Sequence, residues 1–147
     1  MSSGVRELRV WQESVALAGD VIRALKGSVR RETKTISDRV MHTAIDIGDN
    51  IAEGYGRHTP LEQRDSYLMA KCALLRLETE LAVAKHADLI PSGAFTEITG
   101  RTSLVARLLA GYVVYLDRVI SEANPTPARI AAVMERPPTL GSGNAPV

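Results

Sequence analysis

The sequence predicts an all-α protein: an antiparallel up-down four-helix bundle with a disordered Pro-rich C-terminal tail. Three observations carry that expectation. Four successive segments repeat apolar residues at steps of three and four, the spacing that lines one face of a helix. Aromatic residues make up only 4% of the 147 residues. An all-β core usually needs more, so this core must be aliphatic. Five of the seven prolines fall from Pro125 onward, which sets a tail apart from a bundle.

The first helix is read from about Arg6 to about Lys26, with Gly27-Ser28 ending it. Its seam is Leu8, Trp11, Val15, Ala18, Ile22 and Leu25. A short connector leads to a second helix that begins between Thr33 and Thr35. Ile36, Val40, Ala44, Ile47 and Ile51 form its seam. Gly54-Tyr55-Gly56 offers two positions that tolerate positive φ, so this helix stops at Gly54 or Gly56.

Thr59-Pro60-Leu61-Glu62 opens the third helix. Thr supplies the N-cap, Pro takes the first helical position, and Glu completes a capping box. Tyr67, Ala70, Leu74, Leu77, Leu81 and Ala84 form the seam. Leu61, Leu68, Cys72 and Leu75 form a second stripe beside it, which predicts burial on more than one side. The helix ends near Ala87-Asp88. The fourth opens at Ser92 or Gly93 and is stopped by Asn124-Pro125. Phe95, Ile98, Val105, Leu108, Tyr112, Tyr115 and Val119 make one of its stripes; Leu109, Val113, Leu116 and Ile120 make another. Residues 1–124 are therefore the bundle and 125–147 the tail, with a short helix at 128–136. The doubled stripes carry more apolar surface than one four-helix core needs, which predicts self-association.

Lys and Arg total 18 against 17 Asp and Glu, a net charge of +1. That excludes a uniformly basic nucleic-acid coater and a polyacidic disordered chain. One Cys excludes an internal disulfide and a multi-Cys zinc site. No apolar run approaches the roughly 18–20 residues of a membrane span, and the N-terminus has no apolar signal core. The expectation is a soluble, cytoplasmic protein without a membrane partner.

The most distinctive stretch is Asn50-Ile51-Ala52-Glu53-Gly54-Tyr55-Gly56-Arg57. Leu8-Arg9-Val10-Trp11-Gln12 lies upstream and Leu77-Glu78-Thr79-Glu80-Leu81 downstream. This combination resembles the four-helix-bundle family named for proteins encoded in intervening sequences of bacterial large-subunit ribosomal RNA genes. That family looks related to the accessory variability protein of diversity-generating retroelements. The resemblance covers about Leu8 to Ile120. It implies an up-down bundle assembled into a ring-like homopentamer, with no catalytic activity. For the accessory protein it implies binding to a reverse transcriptase and to RNA or DNA through a basic surface. The chain departs from the family pattern at Asp46, at Cys72-Ala73 and at Arg76. Asp46 and Arg76 are expected to pair across helices 2 and 3.

Asp46, Asn50 and Glu53 share one helix face, and Arg57 can reach back to Glu53 or to the last carbonyls. Asn50, Glu53, Gly54, Gly56 and Arg57 thus either orient the turn into helix 3 or line a partner groove. His42, Asp46, Asp49 and Glu53 also fall on one face, the basis of a weaker metal or small-ligand reading. A di-metal bundle needs Glu-x-x-His pairs. Arg39, Tyr55 and Val83 stand where those Glu residues would be, so no metal or cofactor is expected. Cys72 reads as a small core residue. Ser14, Ser37, Ser66 and Ser103 lie in helices without a strained nucleophile turn, and no phosphate loop is present. The chain reads as a non-catalytic interaction or adaptor protein. One charged region stands out. Arg23, Lys26, Arg30, Arg31, Lys34 and Arg39 cluster in sequence around the helix 1–2 turn, opposed only by Glu32 and Asp38. In a ring they would multiply into a basic annulus for phosphates.

Overall fold

Each of the four periodic segments must bury a stripe, and the computed structural model shows how the stripes meet. It describes residues 4–28, 30–124 and 134–135. Four helices follow in order: α1 (Arg9–Leu25), α2 (Lys34–Tyr55), α3 (Pro60–His86) and α4 (Ser92–Ala123). Short 3-10 turns lie at Val5–Glu7 and Lys26–Ser28. No strand occurs among the described residues. Nor is any of these helices long and apolar enough to cross a membrane. Apart from Met134 and Glu135, the tail expectations for 125–147, including the helix at 128–136, lie outside the described residues.

Contacts between helices fix the topology. Each helix packs chiefly against its two neighbours, α1 on α2 and α4, α3 on α2 and α4. Arg39 of α2 reaches Glu80 of α3, whereas Gly54 meets Ser66. Advancing along α2 therefore means retreating along α3, so the pair is antiparallel. Lys85 over the Phe95 ring and Tyr67 beside Tyr112 give the same sense to α3 and α4.

The core is aliphatic, as the aromatic shortage requires. Leu17, Leu25, Ile47, Ile51, Leu74, Leu77, Leu81, Ile98 and Leu109 are its largest fully buried side chains. The whole α3 seam from Tyr67 to Ala84 is buried. The capping Thr59 accepts a hydrogen bond from the Glu62 backbone N–H at 3.2 Å, and Pro60 is the first helical residue.

Four expectations are corrected. The buried face of α1 is Val10, Ser14, Leu17, Val21 and Leu25, one residue away from the Trp11–Val15–Ala18 stripe. Ser14 sits inside that face and donates to the Trp11 carbonyl, so a polar residue interrupts the apolar pattern without a desolvation penalty. Val15 is 47% exposed, and Leu8 is extended, so α1 starts at Arg9 rather than Arg6. The stop of α2 falls at Gly56, one of the two expected positions, which caps the helix in right-handed geometry; no glycine described has positive φ. Cys72 is exposed rather than a core residue, because the core takes the other side of α3. Finally, no ion pair joins Asp46 to Arg76 among the described residues. Both side chains are exposed, and Arg39–Glu80 is the pair that bridges α2 and α3.

Candidate interaction surface along α2 and α3

The end of α2 and the start of α3 are joined by four residues, Gly56 to Thr59. Gly54 lets the two helices approach closely. A Cβ built there would stand 3.0 Å from the Ser66 Cβ and 3.2 Å from the Tyr67 Cε1. Only hydrogen fits. The Gly56 N–H donates to the carbonyls of Ala52 and Glu53, and the Gln63 side chain donates to the Arg57 carbonyl. These bonds hold the connector against both helices.

Outside this contact the helices splay into a cleft of about 370 Å³ lined by Asn50, Glu53, Arg57, Glu62, Asp65, Ser66 and Met69. Three of the five residues singled out in sequence therefore line one wall, and Gly54 and Gly56 shape the backbone behind it. Arg57 pairs with Glu53 on the same helix. Asn50 donates through Nδ2 to the Asp46 carbonyl at 2.9 Å. The cleft thus holds three carboxylates and one guanidinium. Such a field repels phosphate and attracts cations.

The opposite end carries the basic residues, and acidic neighbours divide them. Arg23 pairs with Asp20, Lys34 with Asp38 at 2.6 Å, and Arg39 with Glu80 at 3.1 Å. Arg23 lies toward α4, because Asp20 also binds Arg101 there, whereas Arg39 lies on the α3 side. Lys26, Arg30 and Arg31 enter no ion pair among the described residues.

No three His, Cys, Asp or Glu residues gather to hold a metal ion among the described residues. His42, Asp46, Asp49 and Glu53 instead run along the exposed side of α2. Asp49 belongs to the groove with Trp11 and Val15, and Glu53 to the acidic cleft. Ser14, Ser37 and Ser66 are buried and Ser103 is exposed.

The family model of the 23S rRNA-intervening sequence proteins matches residues 6–111, from the turn before α1 to the middle of α4. The chain belongs to that family. No curated protein matches it. The family match covers both walls of the cleft.

Sequence reasoning missed the α3 wall of this cleft: Glu62, Asp65, Ser66 and Met69 enter it only through the α2–α3 register. It also missed the clamp between α1 and α4. Arg101 donates to Asp20 and to Glu13, each at 2.7 Å. Partial burial opposes the Arg101 charge, but the bonds to Asp20 and Glu13 together outweigh it and raise its pKa further. No local signal links residues more than 80 positions apart. The i, i+7 spacing of Glu13 and Asp20 was the one available hint.

Proposed function

We propose that this protein is a non-catalytic, self-assembling interaction module of the cytoplasm, in which the outer face of α3 packs against a second copy. The observation that carries this reading is the set of exposed apolar side chains on the outer face of α3. Leu61, Met69, Leu75 and Val83 are each more than half exposed, with Cys72 among them. From Leu61 to Val83 the strip runs about 33 Å at 1.5 Å per residue. A helix that is apolar on its solvent side as well as its core side is one that expects a second cover. The groove of Trp11, Val15, Ala18 and Ile45 between α1 and α2 supplies a differently shaped apolar surface. Two unlike surfaces on one chain favour a head-to-tail contact that closes as a ring. The ring-like homopentamer implied by the sequence resemblance is such an assembly. Light scattering coupled to size exclusion tests it. The expected result is a multimer for the native chain and a smaller species for Leu61→Glu with Leu75→Glu, both fully helical by circular dichroism. A monomeric native chain at high concentration overturns the reading.

A second reading rests on Lys26, Arg30 and Arg31, the three turn cations that lack an ion-pair partner among the described residues. They could hold a nucleic-acid backbone, as an accessory of a retroelement reverse transcriptase would. Binding of that kind is salt-sensitive and blind to sequence. Filter binding of RNA and DNA at low and high salt tests it. Affinity should fall with salt and with Arg30→Glu plus Arg31→Glu; no affinity at low salt removes the reading.

A further inference from the structure

The geometry points to the groove between α1 and α2 as the seat for the middle turns of α3 from a second copy, with Asp46 and Asp49 facing Lys71 and Arg76 across the contact. The inference rests on the self-assembly reading and adds to it which two surfaces meet, and in what register. The groove has a floor of small residues. Gly48 packs on Ser14, and a Cβ built there would stand 3.2 Å from the Ser14 Oγ. The Ser14 hydroxyl donates to the Trp11 carbonyl, so the floor keeps no free donor. Trp11, Val15, Ala18 and Ile45 rise around it and frame about 190 Å³. Ile45 is 45% exposed in the single chain. Such a floor suits an aliphatic side chain and leaves a polar one without a partner.

Charge selects which side chain. Asp49 is the charged residue of the lining, and Asp46 stands one turn before it on the outer ridge of α2. Both are exposed and enter no ion pair among the described residues. The opposite charge stands on the outer face of α3. Around Cys72 and Leu75, helical spacing sets Lys71 on one edge of the apolar strip and Arg76 on the other. These two are also exposed and without an ion pair among the described residues. Leu75, 53% exposed, lies between them. Toward the start of α3 the face turns acidic at Glu62 and Asp65, which the α2 ridge repels. The favoured register therefore sets Leu75 over the groove and the two cations against Asp46 and Asp49.

The same charges separate the ways in which two copies can meet. In a two-fold contact, residues equally far from the axis face each other. An antiparallel pair of α3 helices centred on this strip sets the Lys71 of each copy against the Arg76 of the other. A two-fold contact of groove on groove brings two acidic ridges together. Both oppose like charges, which interfaces avoid. Seating α3 in the groove answers cation with carboxylate. Each chain then offers one surface of each kind, and the contact is heterologous.

Charge reversal tests the pairing, read by size exclusion with light scattering over a dilution series of the full chain. One variant is Lys71→Glu with Arg76→Glu, the other Asp46→Lys with Asp49→Lys. Circular dichroism melts establish that each is folded. Each variant is expected to raise the concentration of half-dissociation at least about tenfold, since attraction becomes repulsion. The chain with all four reversals is expected to return to within about threefold of native, because the charges have only changed sides. A second measurement is independent of these charges. At concentrations where the chain is multimeric, Asp49→Cys treated with a bifunctional maleimide is expected to give a ladder beyond dimers, joining the new thiol to Cys72 of the next copy. The pairing is overturned by native-like dissociation of either variant, by failure of the four-reversal chain to recover, by absence of the ladder, or by native chains cross-linked into dimers through Cys72. A native chain that stays monomeric at high concentration overturns the assembly reading and the pairing together. A native multimer indifferent to the reversals overturns the pairing alone.

Discussion

Gly54 matters for its size, not for backbone freedom. In Gly54→Ala the new methyl meets the Ser66 Cβ, the Tyr67 ring and, at 3.4 Å, the Gln63 backbone oxygen. The Gln63 oxygen and the Ser66 Cβ belong to or adjoin the α3 backbone, so neither can swing aside. Overpacking of this kind costs about 1–3 kcal/mol, against at most about 1 kcal/mol regained in helix propensity. A net loss of about 1–2 kcal/mol should appear in chemical denaturation. Tyr67, the neighbour, supplies a second prediction. Burial, and then the nearby phenols of Tyr112 and Tyr55, push its hydroxyl above the ordinary tyrosine pKa. Below about pH 10 the phenol is protonated in folded and unfolded chains alike, so it adds no pH dependence. Above that value the unfolded chain gives up its proton first, and stability falls. Ultraviolet titration of the folded protein should show one tyrosine ionising later than the others. Tyr67→Phe should remove that late step and flatten the alkaline loss of stability.

The helices differ in how much of their packing was legible in the sequence. The α3 seam was read residue by residue, because Tyr67 to Ala84 repeats without a polar break and Thr59-Pro60 marks its start. In α1 the bulky Trp11 marks a face that belongs to a surface groove, while Ser14 breaks the apolar pattern of the buried one. The cleft was half legible. Asn50, Glu53 and Arg57 stand in one motif, whereas Glu62, Asp65 and Ser66 depend on how α3 lies beside α2. The end of α3 carries a feature that pattern alone does not show. Asp88 has φ 59°, the one non-glycine residue described with positive φ. The Leu89 N–H donates to the Ala84 carbonyl and the Asp88 N–H to that of Lys85, the paired bonds of a Schellman end. Glycine is the easier residue at that position, and an acidic side chain faces the negative end of the helix dipole. Asp88→Gly should raise stability by about 0.5–1 kcal/mol, read as a higher thermal midpoint.

At the scale of the whole molecule, the thiol of Cys72 is a built-in probe of assembly. It lies on the strip proposed to meet a second copy. In dilute solution it should react with a thiol reagent as an open cysteine does. At concentrations that favour the multimer, labelling should slow, and Leu61→Glu with Leu75→Glu should abolish the protection. Fast labelling of a proven multimer would place the interface elsewhere. The bundle itself is cross-braced by ion pairs that join neighbouring helices: Glu13 and Asp20 to Arg101, Arg39 to Glu80, and Arg64 to Asp117 at 2.7 Å. None of these was legible, since each links residues that only the folded register brings together. The short connection between α2 and α3 has a consequence for the order of folding. Closing four residues costs less entropy than closing the eight that link α1 to α2, and slightly less than the five that link α3 to α4. Contacts near in sequence form early in helical proteins. The α2–α3 hairpin should therefore be the nucleus onto which α1 and α4 condense. Gly54→Ala should then slow refolding, whereas loss of the distant Arg101 clamp should chiefly speed unfolding, a contrast that the two arms of a chevron plot can measure.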